Sequence, residues 1–214
     1  MLKLSETNIW KELSSSSSNP EKLPLLLKEF TEHPSKDLFD DIHYYIYCQE
    51  TLYQTTFAAF PYLVEACQQT DEEELRWYTL LNIGAMLCEL DNEGKHFQQL
   101  MHHDTIENKI MENIIQSYLD SFKTFKTIIH SLFDTVLNKD ESERKWYITT
   151  LAVADDMYQE GKGFGLFAID EECSCCCPEC EAEYYLEKKR NKLKLSDEEN
   201  TIAISPHSSS QTGS

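Results

Sequence analysis

The residues best suited by type to carry chemistry are the five cysteines of Cys173-Ser174-Cys175-Cys176-Cys177-Pro178-Glu179-Cys180. Cys177 and Cys180 have the two-residue gap that lets two thiolates reach one tetrahedral zinc at about 2.3 Å. A structural zinc takes four ligands, and Cys173 and Cys175 are the candidates to complete a set with Cys177 and Cys180. So short a segment is cramped for four ligands, and His207 or a second chain are the other sources. A thiol-rich loop without metal is the competing reading, and the spacing leaves both open. A redox role for the Cys-x-x-Cys pair would want a thioredoxin-like βαβ context, which the sequence lacks.

The other clusters are weaker. His102-His103-Asp104 sets two imidazoles beside a carboxylate, but neighbours on a helix point about 100° apart and do not converge on one metal. They read as a solvated helix end. Asp40, Asp41 and His43 could make a local cation site, and Asp155, Asp156 and Glu160 another, but acidic dyads on an acidic protein are usually a charged face. The run Gly161-x-Gly163-x-Gly165 lacks the Lys-Ser/Thr ending of a phosphate loop, and neither a zincin motif nor a nucleophile elbow is present. The expectation is a protein that is not an enzyme.

Charge narrows the partners. The 214 residues include 38 acidic and 19 basic side chains, a formal charge of −19. Such a field repels phosphate backbones, which argues against nucleic acid. It speeds encounter with a basic protein in a salt-dependent way. Plain solubility would also account for it. Apolar runs are only a few residues long, as at Leu25-Leu26-Leu27, so no membrane span is expected. The start Met1-Leu2-Lys3-Leu4-Ser5-Glu6 does not read as a signal peptide, and the expected location is cytoplasmic. Cys48, Cys67 and Cys88 fall within helical patterns, where reduced cysteine packs as a small hydrophobe.

The elements that must position these residues are helical. Six glycines and six prolines are too few for the corners of an all-β fold. A short helix within residues 1–13 precedes a serine run, residues 14–18, whose composition predicts a flexible loop. Asn19-Pro20 predicts a helix start, and Ser35 or Asp37 the next one. Residues 53–67 carry helical spacing with Pro61 inside, which predicts a kink. Thr70-Asp71-Glu72-Glu73 is an acidic helix start, and residues 72–90 are apolar nearly all round, as befits the centre of a core. Asp91-Asn92-Glu93-Gly94 is a turn. Residues 105–138 fit one helix or two, and two with a corner near Asp120 are preferred. Lys139-Asp140-Glu141-Ser142 opens another helix, to about Gln159, and the glycines at 161, 163 and 165 then end the helical region. Beyond it, Thr201-Ile202-Ala203-Ile204-Ser205 is a candidate strand in a largely disordered tail. The organisation predicted is an N-terminal helix and serine loop (1–19), a helical domain (20–162), a Cys-rich segment (163–187) and the tail (188–214).

One internal match stands out. Glu74-Leu75-Arg76-Trp77-Tyr78-Thr79 resembles Arg144-Lys145-Trp146-Tyr147-Ile148, with Trp77 and Trp146 separated by 69 positions and Ala85 falling on Ala154. That period is close to two helical hairpins of a repeat array, each of which buries its apolar face only by stacking on neighbours. Trp77 and Trp146 are the expected buried anchors.

Leu52-Tyr53-Gln54-Thr55-Thr56-Phe57-Ala58-Ala59-Phe60-Pro61-Tyr62-Leu63-Val64 resembles a segment of bacterial HEAT-like proteins. There, an aromatic-Thr-small-small-apolar-Pro-aromatic-Leu-apolar run forms a proline-kinked helix after a short polar or Gly-bearing turn. The acidic-Arg-Trp-Tyr helix and the Cys-Pro-x-Cys pair are similar as well. The likeness covers roughly residues 35–185 and is specific near 52–64. It departs at Gln49-Glu50-Thr51, where the family has the Gly-bearing turn, and in its denser cysteines. The resemblance implies an all-α, irregular HEAT/armadillo-like α-solenoid of helical hairpins with a small Cys-rich C-terminal appendage. Some members resemble immunity proteins of polymorphic-toxin systems, which block a toxin by covering its active surface.

The expectation is therefore a protein-binding module of the immunity type, occluding a basic protein. Asp71, Glu72, Glu73, Glu141 and Glu143 at the helix starts are its candidate contacts. A zinc-stabilised intracellular scaffold of the same architecture, with no toxin partner, is the alternative.

Overall fold

The computed structural model describes residues 1–102 and 106–166, together with the backbone of residues 167–169, 172–176, 183–187, 192–195 and 201–203. It is mostly helical and divides into two units, Met1–Gly165 and Leu166–Ser214.

The first unit opens with α1 (Thr7–Glu12), a 3-10 turn at Pro20–Lys22, α2 (Leu23–Glu32) and α3 (Lys36–Ile46). A small hairpin, β1 (Tyr47–Cys48) and β2 (Thr51–Leu52), leads into α4 (Gln54–Gln69) and α5 (Glu73–Leu87). Then follow α6 (Lys95–Leu100), α7 (Asn108–Ser131), α8 (Phe133–Val136), α9 (Glu141–Ala154) and α10 (Tyr158–Ile169). Among the described residues no helix is long and apolar enough to cross a membrane.

The helices pack in two rows. α4 lies between α2 and α7 in one row, and α5 between α3 and α9 in the other. Cross-contacts of α2 with α3, α4 with α5, and α7 with α9 join the rows in pairs. α4 is central, buried along nearly its whole length, and it continues through Pro61. Its Phe57 and Phe60 meet Tyr118, Phe122 and Phe125 of α7, with Phe57 to Tyr118 at 5.1 Å and nearly perpendicular. Edge-to-face contacts suit the ring quadrupoles.

The preferred split of residues 105–138 near Asp120 is not what forms. α7 runs unbroken because Met111, Ile114, Tyr118, Phe122, Phe125 and Ile129 keep one buried stripe past that point. Asp120 lies on the opposite, exposed face, bonded to Gln116 and Lys123 along the helix. The end of the helical region also differs. Gly161, Gly163 and Gly165 lie inside α10, not after a helix. A side chain at Gly161 would press on Val153 Cγ2 at 3.0 Å and the Thr149 carbonyl at 3.2 Å, so glycine permits close approach to α9.

The serine run is likewise not a free loop. Ser15 and Ser16 hydroxyls donate to the carbonyls of Tyr45 and Tyr44, at the C-terminal end of α3. Ser14 and Gln54 cap each other across forty residues: the Gln54 amide donates to Ser14 Oγ at 3.0 Å and the Ser14 amide to Gln54 Oε1 at 2.9 Å. Gln54 Nε2 donates to the Leu100 carbonyl at 2.9 Å. Thr55 and Thr56 hydroxyls donate to the carbonyls of Tyr45 and Ile46. The polar start of the motif at residues 52–64 is thus buried because it satisfies orphan groups of helix termini. Gln54→Ala is expected to cost about 2 kcal/mol, since it leaves buried polar partners unpaired; urea denaturation reads this directly.

The hairpin turn carries strain. Gln49 and Glu50 both sit in the left-handed region, at φ 48° and 58°, where a two-residue turn favours Asn-Gly. Glu50→Gly should raise stability by about 1 kcal/mol. Its exposed pairing with Lys162 is a small loss, because Lys162 keeps Glu89 at 2.7 Å. A melting temperature that stays level or falls would contradict this account of the turn.

In the second unit, β3 (Glu172–Cys176), β4 (Glu183–Glu187), β5 (Lys192–Leu195) and β6 (Thr201–Ala203) form an antiparallel sheet in sequence order. The strand expected at residues 201–205 is β6 in part. β5 lies inside the segment expected to be mostly disordered: its Lys192-Leu193-Lys194-Leu195 alternation is the period of a strand.

Candidate partner-binding edge

Two acidic helix starts that are far apart in sequence lie next to each other because α5 packs on α9. At the start of α5 the Glu72 amide donates to Thr70 Oγ1 at 3.1 Å, and Asp71, Glu72 and Glu73 are exposed. Arg76 turns back onto the last carbonyls of α4, with Nε donating to Cys67 O at 2.9 Å and Nη2 to Thr70 O. The basic residue of the Arg-Trp-Tyr motif is therefore a tie between helices. At the start of α9, Asp140 and Glu143 form a reciprocal capping box, with the Glu143 amide donating to Asp140 Oδ1 at 2.8 Å. Glu141 is exposed and pairs with Lys145 at 3.0 Å, and Glu143 is half-buried.

Lys139 joins the two starts. Its ammonium lies 2.9 Å from Glu74 Oε1 and 3.8 Å from Glu143 Oε1, and 5.1 Å above the Trp77 ring. The hydrogen bond from Lys139 lowers the Glu74 carboxyl below its ordinary range, and the same bond raises the Lys139 ammonium. Beneath it, Trp77 stacks on Tyr147 with ring planes 6° apart and centroids 5.7 Å apart. Trp77 is 3 % exposed, as expected of an anchor. Trp146 is only half-buried, so it is Tyr147, not Trp146, that is the buried partner. The 69-residue match holds in sequence, but α9 turns its next residue toward α5.

Between α5 and α9 lies a groove of about 320 Å³. Its walls are Trp77, Tyr78, Leu81 and Ala85 on one side and Trp146 on the other, with Glu74, Asn82, Ser142, Glu143 and Lys36 at the rim. The Lys36 ammonium sits 5.2 Å from the Tyr78 ring centre. The Tyr78 hydroxyl donates to Asp40 Oδ1 at 2.7 Å, which, with burial, pushes its pKa up to about 12. The groove therefore combines aromatic walls with a charged rim. Sequence reading found the acids and both tryptophans but not the groove, which arises from a non-local helix pairing.

Of the cysteine candidates, Cys173 and Cys175 stand in β3, opposite Leu186 and Tyr184. Cys177 and Cys180 lie outside the described residues, as do His207, His103 and Asp104. Among the described residues no group of three His, Cys, Asp or Glu side chains is placed to hold a metal. Cys67 and Cys88 are buried, and burial pushes each thiol up to about 12, the reverse of what a reactive thiolate needs.

In comparisons with known proteins, no family model, no curated protein and no solved structure matches the chain.

Proposed function

We propose that this chain is a non-enzymatic protein-binding module of stacked helical hairpins, an immunity-type inhibitor that occludes a basic protein. The observation that carries the reading is the joining of two distant acidic helix starts, through Lys139 and the Trp77–Tyr147 stack, into one edge beside an aromatic groove. The two rows of helices support a HEAT-like arrangement of three hairpins, α2 with α3, α4 with α5, and α7 with α9. Asp71, Glu72, Glu73, Glu141 and Glu143 give the edge its negative field, and the overall charge of −19 extends it. Such a field acts mainly on encounter rate, while desolvated aromatic contacts hold the complex.

Association kinetics test this. In a D71N/E72Q/E73Q variant, the association rate for the basic partner should fall at least threefold at low salt and hardly change at high salt, with the melting temperature lowered only modestly because Glu73 also favours the first turn of α5. Equal loss at both salts would argue that charge steering is not how this edge works.

A further inference from the structure

We infer that the groove between α5 and α9 receives the guanidinium of an arginine from the basic partner, laid on the face of Trp146 and bonded to Glu143 and Ser142. The inference rests on the reading above and names the chemistry that the edge recognises.

The molecule holds two internal precedents. Lys139 lies over Trp77 while bridging Glu74 and Glu143, and Lys36 lies over Tyr78. In both a carboxylate accompanies the cation on the ring, Glu74 and Glu143 for Lys139, and for Lys36 the Asp40 that accepts from the Tyr78 hydroxyl, so ring quadrupole and charge act together. Trp146 is the third aromatic wall of the same groove, half-buried, and among the described residues no cation lies over it. Its neighbours at the rim are Glu143 and Ser142, an acceptor carboxylate and a hydroxyl. Trp146, with the Glu143 carboxylate and the Ser142 hydroxyl beside it, offers a place for one more cation.

Arginine suits this place better than lysine. Its planar group stacks on indole while its N–H fork reaches a carboxylate, and it sheds water more readily than an ammonium. The rim charges matter here. Lys36 at the rim and Lys139 beside it offset Glu74 and Glu143, and with Asp40 at the Tyr78 hydroxyl the groove keeps only a small negative charge. Long-range attraction must come from Asp71, Glu72, Glu73 and Glu141 around it. The edge should therefore draw any polycation, and the groove should choose among them.

That separation gives the test. Dye-labelled hexa-arginine and hexa-lysine peptides are titrated with the full chain at low salt and followed by anisotropy. Both should bind, arginine at least fivefold tighter. In Trp146→Leu the preference should shrink to near unity while hexa-lysine affinity is kept. Glu143→Gln keeps a side-chain oxygen to cap Asp140 but loses the pairing with Lys139; it should weaken hexa-arginine at least threefold while lowering the melting temperature by no more than about 4 °C. Equal binding of the two peptides by the wild type, or an arginine preference that survives Trp146→Leu, would overturn the groove proposal and leave the acidic-edge reading standing. No binding of either peptide would overturn both.

Discussion

Trp77→Ala is expected to be the most damaging single substitution in the edge, costing about 3–5 kcal/mol, the range for truncating a buried aromatic. Three contacts fail together: the offset parallel stack on Tyr147, the seat for Lys139 and the packing of α5 on α9. In a chain of this size each kcal/mol moves the melting temperature by roughly 2–4 °C, so a drop of roughly 6–20 °C is expected. Trp146→Ala should cost clearly less, because that ring is half-buried and lines the groove. Calorimetry on the two variants distinguishes them. Equal losses would mean that the tryptophans are equivalent anchors after all, and no change in Trp77→Ala would remove the basis for treating α5 and α9 as stacked repeats.

Gly84→Ala should be nearly as harmful, for the opposite reason. An added methyl at Gly84 would lie 2.6 Å from both Cβ and Cγ2 of Thr150 on α9. Because Thr150 Cβ is itself in the way, no rotation of that side chain relieves the clash, and the two helices must separate. Overpacking of this kind costs about 3 kcal/mol, even though alanine is the better helix former by about 1 kcal/mol. The double variant Gly84→Ala/Thr150→Gly moves the small residue to the other helix and should recover most of the loss. Urea denaturation of the two single variants and the pair gives the coupling. If the double variant is no more stable than Gly84→Ala alone, the close crossing does not sit where these two residues meet.

What was legible in the sequence was chiefly local. Ser35 and the Asp140-Glu141 start announce α3 and α9 because a capping side chain and acidic first turn act within four residues of themselves. The apolar content of α4 and α5 announced the core. The acids at 71–73, 141 and 143 were recognisable as helix starts, but their meeting at one edge depends on helix pairing that no local pattern encodes.

The misreadings share one cause. Five serines look unstructured by composition, yet residues 14–16 find donors and acceptors at the ends of α3 and α4. Glycines at 161 and 165 look like helix breakers, yet they sit where α10 approaches α9. In each case a tertiary contact overrode local propensity. Tyr147 replacing Trp146 as the buried partner is the same effect at the scale of one residue: the helix rotates to satisfy its neighbours, and sequence alignment of the repeats cannot see the rotation.

The central claim is that this chain binds a basic protein through the α5–α9 edge. Affinity capture from the native cell lysate at low and at high salt tests it most directly, with the wild type and the D71N/E72Q/E73Q variant as parallel baits. The account predicts one basic protein retained by the wild type at low salt, retained more weakly at high salt, and retained less by the variant than by the wild type at low salt. Nothing retained at either salt, or a protein held equally by both baits, would contradict it.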